Sequence, residues 1–220
     1  MTVFIIAMDS EAEPVLYIMN EKSERLVHNR RVILGKIDGR EVGVVICGVG
    51  KVNAAAGTQY AIDCLNADKI INVGVAGGLN GGTEVGKIYC ISEAVQYDFD
   101  LVQINKTHIG TLNEYTEPFI KLTVCPLYPE KRLATGDRFN DSKRDYHLLT
   151  EVLNADIRDM ECGAVAHVCK HAGVPCYSFK AISDVAGSGS TTRQFVLNLA
   201  MCAKNLGDNI AAIFKAVDNG

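Results

Sequence analysis

The sequence has no apolar tract of 18 residues or more, so no segment qualifies as a membrane-spanning helix. It has no basic excess either. Lysine and arginine total 22 against 26 aspartates and glutamates, a net charge of −4. Nucleic-acid binders usually carry a basic patch, and this balance speaks against such a partner. The N-terminal MTVFIIAMDSEAE lacks the basic region and cleavage site of a signal peptide and reads as a buried strand. No C-x-x-C pair occurs among the eight cysteines, most of which sit in apolar runs. That excludes the usual zinc spacing and argues against a disulfide framework. Reduced thiols packed as small hydrophobes in a cytoplasmic protein are the expectation.

What is present is an alternation of strands and helices over 220 residues, enough for one α/β domain with a sizeable core. No repeat, linker or composition shift divides it, so residues 1–220 are read as a single domain. The expected fold is a three-layer sandwich, with a central twisted mixed sheet covered by helices on both faces. Asp38-Gly39 joins two strand-like runs, Arg31 to Ile37 and Glu41 to Cys47, and this hairpin makes the sheet mixed. Thr2 to Met8 is the first strand. Ser10 and Glu13 have capping-box spacing for the helix that follows, with Pro14 at the edge of its first turn. Lys69 to Val75 is another strand and runs into the glycine-dense AGGLNGG, where backbone approaches a ligand or turns sharply.

Chemistry concentrates between Asp156 and Gly187, which reads as strand, helix, strand and loop. Glu161 stands at the strand-to-helix junction and Asp184 just past the second strand. Glu11 follows the first strand. Open α/β sheets place ligands at such strand ends, although a first-turn acid is also common for its helix dipole. Gly48-Val49-Gly50-Lys51 is a strand-to-helix turn that can seat an anion on its N–H groups. It lacks the Walker A spacing, and a plain tight turn is the competing reading. His167 and His171 are spaced i, i+4 as metal ligands can be, but no H-E-x-x-H is present, and exposed or core histidines are the better reading. The Asp98-Phe99-Asp100 triplet reads as a solvated turn. Asp141 to Leu153 reads as an amphipathic helix with Leu148, Leu149 and Val152 on one face. Arg193 to Val217 is a long helix, preceded by the polar loop Ser188 to Thr192.

AMDSE (Ala7 to Glu11), GVGKVNAA (Gly48 to Ala55), NVGVAGGL (Asn72 to Leu79), TGDRF (Thr135 to Phe139), DMECGAVAHVC (Asp159 to Cys169) and AISDVA (Ala181 to Ala186) occur in this order. Together they resemble the methylthioadenosine/S-adenosylhomocysteine nucleosidases, within the nucleoside phosphorylase family. The resemblance spans nearly the whole chain. It implies hydrolysis of the N-glycosidic bond of a 5′-modified adenosine, in a cytoplasmic homodimer of methionine salvage that uses no metal or organic cofactor. By position, Asp184 matches the acid that protonates N7 of adenine, and Ser183 helps hold it. Glu11 matches the acid that activates water. Glu161 matches the carboxylate on the ribose hydroxyls, with Met160 under the sugar and Met8 near its 5′ side. Phe139 matches the ring stacked on the base, and Gly77 belongs to the substrate-binding backbone. A carboxylic acid facing the leaving base needs a raised pKa, which desolvation would supply.

Four departures stand out. Val75 replaces a common serine, Lys180 an arginine, and Arg138 and Asn140 flank Phe139 in place of small or apolar residues. The Asn105 to Phe119 loop, which in the family helps cover the 5′ group, often across the dimer interface, is also unlike the family's. A purine nucleoside phosphorylase, or a hydrolase of another 5′-modified nucleoside such as a futalosine-like compound, are the alternatives.

Overall fold

A computed structural model of the chain describes residues 1–139 and 142–218. The readings of Asn140 and of a helix start at Asp141 fall outside the described residues. Ten strands form one mixed sheet among the described residues, in the order β10-β6-β8-β9-β5-β1-β4-β3-β2, with β7 against β6. These are β1 (Thr2–Ile6), β2 (Asn20–Val27), β3 (Arg30–Ile37), β4 (Arg40–Ile46), β5 (Lys69–Gly78), β6 (Ile88–Gln96), β7 (Ile120–Lys121), β8 (Glu130–Thr135), β9 (Ile157–Asp159) and β10 (Cys176–Val185). The helices are α1 (Asp9–Ile18), α2 (Lys51–Leu65), α3 (Val102–Asn105), α4 (Lys143–His147), α5 (Cys162–Ala172) and α6 (Thr191–Asp218).

The layers follow from the period of two in the strands. Val3 and Ile5 point to one face and pack with Ala54 and Ala61 of α2 and Val165 and Cys169 of α5. Phe4 and Ile6 point to the other and pack with Ala12 and Val15 of α1 and Leu206, Ile210 and Phe214 of α6. The expected mixed sheet between helical layers is therefore present, with one addition. β10 pairs in parallel with β5 as well as antiparallel with β6. Since β6–β8, β8–β9 and β9–β5 are also paired, five strands close into a ring, and β1 to β4 extend from it.

Several boundaries differ from expectation for identifiable reasons. Helix α1 is capped by Met8, in extended conformation, and not by Ser10. The Glu11 carboxylate accepts from Met8 N at 3.1 Å, so the helix begins earlier and Pro14 lies inside it. Pro14 packs on α6, where a Cβ on Gly207 would meet its Cβ at 2.7 Å. The glycines of AGGL do not start a loop at once. β5 continues through Gly78, because Gly77 and Gly78 pair with Arg158 and Ile157. Asp184 likewise lies inside β10 rather than past it. α4 passes into a π-helical turn, Leu148–Val152, whose wider winding leaves Val152 57% exposed while Leu149 is buried. The Asp38-Gly39 hairpin is as expected, with φ of 50° and 79° at the two turn residues. Every cysteine is a free thiol, and all but Cys64 are buried.

Candidate active site

Glu11, Glu161 and Asp184 line one cavity of about 150 Å³, shared with Met8, Gly77, Phe139, Met160 and Ser183. The sheet brings these residues together from distant parts of the chain. Met8 and Glu11 follow β1, Gly77 is on β5, Met160 and Glu161 join β9 to α5, and Ser183 and Asp184 end β10. A larger hollow of about 1050 Å³ lies elsewhere, between the 108–119 loop and residues of β8 and α5. It contains none of the three acids, so the smaller cavity is the candidate site. Within one chain the Asn105 to Phe119 loop borders that larger hollow and not the acid cavity.

Glu11 is 4% exposed and held at both oxygens. Oε2 accepts from Met8 N at 3.1 Å and Oε1 from Val75 N at 2.8 Å. Position 75 therefore serves the acid through its backbone. Burial pushes the Glu11 pKa up, against the two N–H bonds and the positive charge of Lys180. Gly74 leaves room for this carboxylate, since a Cβ there would stand 2.7 Å from Glu11 Oε1. Gly74→Ala should displace the acid. A displacement on the order of 1 Å can cost about 100-fold in turnover, and we expect a kcat loss of that order with the far-UV spectrum retained. Unchanged kcat would show that the placement of Glu11 is not critical.

Glu161 occupies the N-cap of α5 and accepts from Gly50 N at 2.9 Å. Its pKa is raised to about 7, by burial first and then by the negative charge of Asp159. The Gly48–Lys51 turn thus seats an anion, but the anions are side chains of the protein. Lys51 N donates to Asp137 Oδ1 at 2.8 Å, and Lys51 Nζ pairs with Asp98 Oδ1. Asp98 also accepts from Asp137 N at 3.1 Å, which corrects its reading as a solvated turn residue.

Behind the acids lies a buried ion pair. Lys180, 1% exposed, meets Asp159 Oδ2 at 2.9 Å. Burial alone would lower the lysine's pKa, but Asp159 and its anionic neighbours override this and raise it. Asp159 also accepts from Cys162 N at 2.9 Å and Thr135 Oγ1 at 2.6 Å. A buried pair survives only when its remaining hydrogen-bonding groups are met in this way.

Asp184 is 1% exposed and accepts from Ser183 Oγ at 2.8 Å. A bulge at Ser183 shifts the β10–β5 register, from Ile182↔Ala76 to Asp184↔Gly77. Bulges of this kind re-aim side chains beside active sites. A Cβ at Gly77 would lie 3.0 Å from Asp184 Oδ1 and 3.1 Å from Arg158 Nε, so glycine makes room for both. Arg158 Nη2 stands 3.8 Å from Asp184 Oδ1. Phe139 meets Phe195 of α6 edge to face at 5.4 Å between centroids.

Arg158 and Phe195 line the cavity and were missed in the sequence. Arg158 stood in a short strand beside the better-marked MEC block. Phe195 looked like one more apolar position of a long helix. Arg138 lines the cavity too, while pairing with Asp145 at 3.4 Å. Across its aromatic and apolar walls, the site offers two well-held carboxylates, a buried acid at a strand bulge, and two guanidinium groups.

Comparison with known proteins gives a consistent picture. A profile of the "Phosphorylase superfamily" matches residues 2–216. A 5′-methylthioadenosine/S-adenosylhomocysteine nucleosidase of Actinobacillus succinogenes is 31% identical over 216 residues, covering 90% of this chain and 91% of its own. An aminodeoxyfutalosine nucleosidase of Campylobacter jejuni is 29% identical over 214 residues, covering 90% and 93%. The crystal structure of a Helicobacter pylori 5′-methylthioadenosine/S-adenosylhomocysteine nucleosidase shares the fold, with a TM-score of 0.90 at 24% identity over 97% of each chain.

Proposed function

The chain belongs to the phosphorylase superfamily, and from that premise we propose that it hydrolyses the N-glycosidic bond of a 5′-modified adenine nucleoside, methylthioadenosine or S-adenosylhomocysteine, to adenine and a thioribose. The observation that carries this reading is the convergence of Glu11, Glu161 and Asp184 on one cavity whose neighbouring glycine turn is already filled by the protein's own carboxylates.

The chemistry assigns each acid a place. Loss of adenine leaves an oxocarbenium-like sugar, and the base departs more readily when N7 is protonated. Asp184 is the donor of that proton. It is buried, and the Arg158 guanidinium stands 3.8 Å from its Oδ1. Glu161 binds the ribose hydroxyls and sets a negative charge beside the developing cation. Glu11 takes the proton of the attacking water, with its carboxylate fixed by the Met8 and Val75 amides. Met8 and Met160 contribute apolar contact to the sugar, and Phe139 and Phe195 contribute ring faces to the base.

Phosphorolysis would need a cationic phosphate seat. In this chain the Lys51 ammonium is engaged by Asp98 and the Gly50 amide by Glu161. A second hydrolytic reading has an observation of its own. Arg138 and Arg158 line the cavity, and guanidinium groups suit a carboxylate or carbonyl on the substrate, as in a futalosine-like nucleoside. The proposal includes a homodimer, in which a partner's 105–119 loop would complete the 5′ side that one chain leaves uncovered. It also includes a cytoplasmic setting in methionine salvage, in keeping with the free thiols.

The test is base release from methylthioadenosine, S-adenosylhomocysteine, aminodeoxyfutalosine and inosine, each with and without phosphate. Adenine and free sugar formed independently of phosphate is the expected result. A sugar 1-phosphate product would overturn the hydrolytic assignment. Preference for aminodeoxyfutalosine would select the second reading.

A further inference from the structure

Helix α5 has a second cluster of functional side chains, away from Glu161 at its N-cap. His167 and His171 lie one turn apart on it, with ring centroids 4.6 Å from each other. Glu114, from the loop before β7, reaches both. Its Oε1 is 2.6 Å from His167 Nε2 and 3.3 Å from His171 Nε2. One donor atom from each of the three residues falls within 4.8 Å of the others. None of the three lines the acid cavity.

One carboxylate oxygen thus faces the Nε2 atoms of two imidazoles. A neutral imidazole donates from Nε2 in one tautomer and presents a lone pair there in the other. In the second tautomer both rings and the carboxylate offer lone pairs to one point, which is the arrangement a cation requires. Two histidines and one carboxylate form a donor set that zinc uses, with a fourth position left for water. Zinc–ligand distances near 2.0–2.1 Å put tetrahedral donor atoms roughly 3.4 Å apart; the His171–Glu114 separation of 3.3 Å matches this, and the His167–Glu114 separation of 2.6 Å would have to widen on binding. The Gln96 amide lies 3.3 Å from His167 Nδ1. Turned so that its oxygen accepts from Nδ1–H, it leaves the Nε2 lone pair for the metal, as outer-shell partners of ligating histidines do. The nearby Lys170 ammonium is drawn onto the Tyr115 ring, 3.7 Å from its centroid.

We propose that Glu114, His167 and His171 form a binding site for a zinc-like divalent cation, which ties the 106–119 loop to α5. None of the three residues lines the acid cavity of its own chain, and the proposal does not depend on how that cavity is assigned.

The experiment is equilibrium dialysis of the chelator-treated full chain against zinc, with metal counted per chain. The comparison is with His167→Ala/His171→Ala and with Glu114→Gln. One tightly held zinc per chain is expected in the wild type. The double variant should lose at least the roughly 100-fold in affinity that even outer-shell changes cost at metal sites, and Glu114→Gln should weaken binding less. Excess zinc should raise the Tm of the wild type and leave that of the double variant where it was. No stoichiometric zinc, or zinc held equally by the double variant through thiols such as Cys64, would overturn the proposal.

Discussion

Asp184→Asn should lower kcat on an adenine nucleoside by roughly 10²–10⁴, the usual contribution of a general acid, without unfolding the protein. The reasoning starts from the bulge. Asn is nearly isosteric with Asp, and its side-chain oxygen can still accept from the Ser183 hydroxyl that holds Asp184 Oδ2. Asn198 Nδ2 anchors the Ser183 carbonyl at 2.8 Å and is untouched by the change. What disappears is the proton for N7. A p-nitrophenyl riboside separates this from simple damage, because its leaving group departs without protonation. The variant should turn over that substrate far better, relative to wild type, than it turns over methylthioadenosine. Equal losses on the two would assign Asp184 a structural role.

Glu161→Gln should do two opposite things: reduce kcat/KM by about 10²–10³, the scale of losing one preorganised electrostatic contact, and stabilise the fold at alkaline pH. The second effect follows from linkage. Glu161 titrates at about 7 in the folded chain, above the ordinary carboxylate value of 4.5, because burial and Asp159 oppose its charge. Between those pH values the folded state binds more protons than the unfolded state, so stability falls as pH rises. The penalty is complete above 7 and amounts to about 3 kcal/mol at most. Glutamine carries no such penalty, and its oxygen can still accept from Gly50 N. The variant should therefore melt several degrees above wild type at pH 8, and close to it at pH 4. A Tm difference that does not change with pH would reject the argument. In the wild type, kcat/KM should decline on the acid side of about pH 7, as Glu161 loses the charge that the cationic sugar needs.

The residues that line the acid cavity were more legible in the sequence than the details of strand pairing that bring them together. The acids stood out because they interrupt apolar runs at element ends, and Met8, Gly77, Met160 and Ser183 came with the motifs around them. The layered sheet was legible from buried runs such as Thr2–Ile6, whose alternate residues face the two helical layers. Strand β2 was not legible, because seven of its eight residues are exposed and it buries no apolar face to give a pattern. Closure of the ring was also hidden. It rests on backbone pairing between β10 and β6, and a buried strand reads the same whether it has one neighbour or two. The true cap of α1 was missed for a related reason. Ser10 and Glu13 had the right spacing, but Glu11 turned back onto Met8 N from within the site. Arg158 could not be placed, since its relation to Asp184 exists only once β9 pairs with the glycines of β5.

The ring has a consequence for how activity is acquired. Its last strand, β10, carries Asp184 and docks on β5, about a hundred residues earlier in the chain, next to the glycine that makes room for that acid. Glu161 comes from the segment just before, and Glu11 from near the start. No contiguous fragment shorter than residues 11–184 holds the three acids, and a chain emerging in order has neither Glu161 nor Asp184 until its last third. Pairings of such long sequence separation are slow to form, because loop-closure entropy is lost before contacts compensate it. Catalytic competence is thus a property of the completed topology, arriving with the last large closure and absent from every shorter intermediate.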